Sequence, residues 1–263
     1  MDAFSEIINN ALMQSLILSP LMGVVFAAIF TGLTNSPAQQ SPLTIIQTRE
    51  VYVTKIVERR SSSRNNDDGM GFLVAGGIAL LFIIWKYAIF FDVIQYYLAV
   101  AILTVLSFSV TTIVISFVKG HYTSNEWWLY TLGPVLSLIV CIYLLILAKE
   151  SFDPSIQQGA MNNSFWLFYT KWLNDYGRNF MFAHVGGIAL LGFAILLIAL
   201  SLIHYLSLMN LRGNGAMQGL WFFMARITSF FSGKYWLFLV VIILALSYIC
   251  LNPLLVATWM TKG

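Results

Sequence analysis

The chain has 263 residues, 59% hydrophobic and only 10% charged, with a net charge of +3, a pI near 8.8 and a mean hydropathy of +0.80. A soluble domain carries about a quarter charged residues, so there is too little polar surface here to wrap a core of this size in water. That excludes a soluble globular protein, and the small basic excess is ordinary for a membrane protein with basic cytoplasmic loops, so no nucleic acid is expected as a partner.

The chain opens on Met1-Asp2-Ala3-Phe4-Ser5-Glu6, acidic and without Lys or Arg. A secretory leader needs a basic n-region, so the first apolar run, residues 16–33, is expected to be a retained span, with Pro20 in its opening turns. The N-terminal segment and this helix make up residues 1–34.

Residues 35–70 are the long polar interruption of the first half. Their first part, LTIIQTREVYVTKIV over 43–57, is rich in β-branched residues and Tyr and predicts a short extended segment. Their second part, SSSRNNDDGM, reads as a polar linker. The docking residues expected here are Arg49, Val51, Tyr52, Val53, Lys55, Arg59 and Arg60. An exposed strand can pair with another chain, and a basic cluster beside a bilayer attracts anionic headgroups.

A transmembrane hairpin is predicted over 71–119: a second run at 72–90, a turn near Phe91-Asp92, and a third run at 94–118. Trp85-Lys86 suits a headgroup boundary, where Trp anchors and Lys snorkels. The fourth helix falls within 120–148, opened by Trp127-Trp128. Residues 149–181 form an aromatic segment expected in the outer interface. Residues 182–263 supply the fifth and sixth spans, at 182–208 and 237–258, with an amphipathic helix between them at 216–231 whose Gln218, Arg226 and Ser229 face out.

The expected fold is therefore an all-α polytopic membrane protein of about six spans, with a short β-prone cytoplasmic segment and interfacial helices. Placing the basic stretch inside puts nine of the fourteen Lys and Arg in the cytoplasm. The positive-inside bias then gives an N-out, C-out protein, with a bacterial inner membrane as its expected home.

Gly76-Gly77-Ile78-Ala79-Leu80-Leu81 recurs as Gly186-Gly187-Ile188-Ala189-Leu190-Leu191. Either the chain is two inverted three-span halves, as in many transporters, or Gly76, Gly77, Gly186 and Gly187 are small positions where helices pack closely within or between subunits. Little chemistry is on offer. No acid lies mid-run, His184 and His204 sit near the two ends of the fifth run as interfacial residues, and Cys141 and Cys250 read as small buried hydrophobes. No metal or cofactor motif is present. The third run is the most polar, through Ser107, Ser109, Thr111, Thr112 and Ser116. These could line a pore, although Ser and Thr in helices often bond back to their own turn.

The leading functional expectation is a non-enzymatic membrane subunit that self-associates. It would act as a sensor or scaffold docking a cytoplasmic or membrane protein through residues 43–60, in a setting such as bacterial stress response or phage defence. The alternative is a channel or secondary carrier.

Overall fold

The computed structural model describes residues 68–118, 125–211 and 218–256. Within them almost every residue is helical and there is no strand. In chain order the helices are α1 (Asp68–Ile89), α2 (Phe91–Val118), α3 (Asn125–Ser151), α4 (Pro154–Asn162), α5 (Phe165–Leu167), α6 (Asp175–Leu211), α7 (Gln218–Thr228) and α8 (Lys234–Leu251). A π-helical turn, Phe168–Trp172, continues α5, and a 3-10 turn, Ser229–Phe231, continues α7. The first apolar run and the whole docking region, Arg49 to Arg60, lie outside the described residues.

Among the described residues four helices are long and apolar enough to cross a membrane: α2 over Phe91–Val114, α3 over Thr131–Ser151, α6 over Asp175–Leu208 and α8 over Lys234–Leu251. This fits a membrane-embedded protein. The helix α1 has 22 residues and is about 33 Å long at 1.5 Å per residue, close to the roughly 30 Å of a hydrocarbon core.

The four long helices form a bundle with α6 at its hub. From α3 come Leu138, Cys141, Leu144 and Ala148, and from α6 Leu191, Ala194, Ile198 and Leu202, all fully or nearly fully buried. These recur every three or four residues, so each helix turns one stripe to the centre. Val240, Ile243 and Leu244 of α8 and Ile102 of α2 close the core. Half of the α6 window is buried against 17% of that of α2, which makes α2 the outermost member.

The expected hairpin over 71–119 is not formed. A single residue, Phe90, separates α1 from α2, and the backbone stays bonded on both sides of it: the Phe90 amide donates to the Lys86 carbonyl (3.0 Å) and the Ile94 amide to the Phe90 carbonyl (2.9 Å). No non-glycine residue has a positive φ among the described residues. Antiparallel helices need a loop of about two to five residues to reverse, and here there is only a corner. Accordingly α1 leaves α2 at once and lies chiefly on α4.

The segment between α3 and α6 is folded, not a loose polar stretch. Asp153 caps α4 by accepting from the Ser155 amide (2.8 Å), and Pro154 takes the first position, where its missing N–H costs nothing. The turn of α5 and the π-helix then doubles back on α4, with the Trp172 indole against Gly159.

Candidate functional site

One cluster of buried polar side chains lies at the end of the bundle where α2 begins, α3 ends and α6 comes down from Asp175. His184 is fully buried there. One ring nitrogen, Nε2, lies 3.0 Å from the Ala148 carbonyl of α3, and the other, Nδ1, 3.0 Å from the Tyr87 hydroxyl of α1. A carbonyl only accepts, so Nε2 carries the proton and Nδ1 accepts from Tyr87. One imidazole thus ties three helices together. Aromatic rings wall it in: Phe91, Phe152 and Phe180 lie with centroids 6.0, 5.5 and 5.4 Å from the imidazole, and Phe91 stacks on Phe152 at 3.8 Å. Gln95 of α2 lies beside the Tyr87 hydroxyl. Its amide nitrogen is buried with no partner in hydrogen-bond geometry.

His184, read as an interfacial residue near an end of the fifth run, is enclosed by protein at that end. The ring lies inside the protein, because the chain beyond the fourth run folds over it. Nothing in the hydropathy of the fifth run marks that burial. The only hint is that Tyr87 and His184 each stand about one to two turns from a charged corner, Asp92 and Asp175–Arg178 respectively.

Above this node α1, α4 and α5 form a cap. The Trp85 indole donates to the Ala160 carbonyl (3.2 Å), the Tyr169 hydroxyl to the Leu81 carbonyl (2.6 Å), and the Gln157 amide to the Asp92 carboxylate (2.9 Å). Phe168 is fully buried under it, and burial also pushes the Tyr169 phenol above its usual range. The residues Leu81 and Ala160 offer backbone oxygens, so no side-chain motif announces these bonds. Between α1 and α5 runs an open apolar groove of about 650 Å3, lined by Ala75, Ile78, Ala79, Phe82, Phe165 and Trp166. Lys86 lies over the rings of Trp85 (4.7 Å) and Phe82 (5.5 Å), in keeping with the boundary role expected for the Trp85-Lys86 pair.

At the other end of the bundle α7 is pinned to α6. The Thr228 hydroxyl donates to the Met224 carbonyl (2.7 Å), so it accepts from His204 Nδ1 at 3.1 Å. His204 is therefore protonated on Nδ1, the opposite tautomer to His184. The outward positions expected on this helix, Gln218, Arg226 and Ser229, are exposed. Nearby, Ser137, Ser201, Pro134 and Trp236 line a cavity of about 20 Å3, and the Trp236 indole nitrogen has no partner.

The four glycines do not share one role. A Cβ on Gly187 would meet Leu251 Cγ at 2.7 Å and Cys250 Cβ at 3.2 Å, so this residue lets α8 lie against α6, where the Ser247 hydroxyl also donates to the Gly187 carbonyl (2.8 Å). Gly76, Gly77 and Gly186 have open space where a Cβ would be. The two copies of the hexamer also differ in setting: Ile78 is 48% exposed and Ile188 6%.

The five Ser and Thr residues of the third run all lie on α2. Thr111 donates to the Ser107 carbonyl and Thr112 to the Phe108 carbonyl, each at 2.8 Å, and Ser109 is fully buried with a hydroxyl that has no partner. Neither cavity described above draws a residue from α2. Among the described residues no three His, Cys, Asp or Glu side chains come close enough to hold a metal ion. Cys141 and Cys250 are unpaired thiols, the first buried and the second half-buried.

Compared with known protein families, curated proteins and solved structures, the chain finds no match in any of the three.

Proposed function

We propose that this protein is a non-enzymatic integral membrane subunit that self-associates and docks a cytoplasmic or membrane protein partner through residues 43–60, as a sensor or scaffold. A bacterial stress-response or phage-defence setting in the inner membrane suits that role. One observation carries the proposal: α1 has a bare stretch at Ala75–Leu80. Every residue from Ala75 to Leu80 is exposed, and Gly76 and Gly77 have no neighbour within 4 Å of where a Cβ would stand. Small residues on an uncovered apolar helix allow another helix to approach closely. His184, His204 and Ser247, by contrast, are spent on joining helices of the bundle to one another. In its six-span form this reading places the basic stretch inside and both termini outside.

The test has two parts. The mass of the detergent-solubilised full chain should be a multiple of the protomer, and should fall to one protomer on Gly76→Leu. A partner captured by the full chain should be lost on deletion of residues 43–60. A monomer whose partner survives the deletion refutes the proposal.

A channel or secondary carrier is the second reading, favoured by the buried polar atoms of Gln95 and Ser109 that have no partner on α2. It requires flux through the purified protein in liposomes that changes with Ser109→Leu or Thr112→Leu.

A further inference from the structure

We infer that α1 does not cross the bilayer but lies with α4 and α5 at the membrane surface, so that the basic stretch 35–64 emerges on the same side as residues 149–181. The partner of this cap is the headgroup and upper acyl region of the bilayer that holds the bundle.

The corner at Phe90 is the first ground. A second span would have to return along α2, yet α1 diverges from it directly after a bonded one-residue bend, and the helix it packs against is α4. That helix belongs to the segment beyond the end of α3, outside the bundle. The bonds Trp85 to Ala160 and Tyr169 to Leu81 follow α1 away from the corner, and both go to this outer segment. Only the last turns of α1, through Tyr87, reach α6.

The chemistry of the cap is the second ground. Its outer surface is apolar and aromatic, with Ile83, Met161, Trp166 and Trp172 all more than half exposed. Lys86, Lys149, Lys171 and Arg178 stand at the same end of the bundle with Asp92, Glu150, Asp153 and Asp175, and Arg178 pairs with Asp175 at 2.8 Å. Exposed aromatic and apolar area rimmed by charged side chains is the make-up of helices that lie in the headgroup boundary.

The third ground is independent of the geometry. With α1 at the surface, Arg49, Lys55, Arg59, Arg60 and Arg64 join Lys86, Lys149, Lys171, Arg178 and Lys262, ten of the fourteen basic residues, and leave Lys119, Arg212, Arg226 and Lys234 opposite. Six spans give nine against five, so the revised arrangement obeys the positive-inside bias better. It keeps residues 43–60 in the cytoplasm and brings the cap there too. The C-terminal end of α8 then also faces inward, where six spans would face it outward.

Side-specific labelling decides the matter. In full-length protein carrying Cys141→Ala and Cys250→Ala, single cysteines are introduced by Arg60→Cys, Asn162→Cys and Arg226→Cys and exposed to a membrane-impermeant maleimide in intact cells and in inverted membranes. Positions 60 and 162 should react in the same preparation and position 226 in the other. Reaction of 60 together with 226, against 162, is the six-span result and overturns the inference, and so does 162 reacting with 226. A position silent in both preparations is replaced by its neighbour, Arg64, Gln158 or Ser229, under the same criterion. Because self-association and partner capture are measured separately, failure here leaves the docking proposal standing.

Discussion

Gly186 and Gly187 are adjacent in one helix, yet replacing each by Ala should give opposite results. Both changes bring the same helix-propensity gain, up to about 1 kcal/mol by aqueous scales. At Gly186 the added methyl enters open space, so the variant should be as stable as the parent or slightly more so. At Gly187 the methyl would stand 2.7 Å from Leu251 Cγ and 2.8 Å from Cδ2. The first of these atoms is the branch point of the side chain, and Leu251 is fully buried, so the clash cannot be relieved by swinging a free end into lipid. The α8 helix must move instead, at a cost of about 1–3 kcal/mol for an overpacked site. Since the propensity gain cancels between the two variants, that cost is their expected difference. Unfolding of the full chain in mixed micelles, followed by tryptophan fluorescence, measures it. Equal stability of the two, or a more stable Gly187→Ala, would refute the packing argument and the placing of α8 against α6. Ser247→Ala should lose part of the same interaction, and the double variant should be less than additive.

Tyr87→Phe keeps the ring contacts with Phe91 and Phe152 but leaves His184 Nδ1 without its donor. Interhelical hydrogen bonds in a membrane protein average about 0.6 kcal/mol with a maximum near 1.7, and a loss in that range is expected in the same unfolding assay, with the amide protons of the cap exchanging faster. Gly233, at φ +95° and ψ −176° before α8, occupies a backbone region open essentially to glycine alone, so Gly233→Ala should cost about 1–3 kcal/mol; a neutral result would argue against that turn. Thr228→Val removes the acceptor of His204 and should loosen α7 from α6, seen as faster proteolysis within residues 216–231 while the four-helix bundle stays intact.

The long apolar helices are legible because lipid imposes a length and a composition on them. The third run begins three residues early and the fourth ends three residues late, and both keep their identity. The fifth begins seven residues before the apolar stretch, at Asp175. Hydropathy cannot see that extension, since Asp175 and Arg178 form an i, i+3 ion pair (2.8 Å) that a helix standing in water accommodates. The direction of α1 was hidden for a deeper reason. An apolar run of about the right length looks the same whether it crosses the bilayer or lies along it, and only the bonding at Phe90 and the contacts with α4 separate the two. The polar node and the cap were hidden because the partners at Ala148, Ala160 and Leu81 are backbone carbonyls, which every residue carries. The Ser and Thr residues of α2 behave as their helical setting suggests, with Thr111 and Thr112 bonding to their own preceding turn.

The 37 residues of α6 make a rod of about 55 Å. Near one end it is clamped to the cap through His184, and near the other to α7 through His204, about 30 Å further along at 1.5 Å per residue. The cap and α7, which stand at opposite ends of the bundle, are thus joined through one continuous piece of helical backbone.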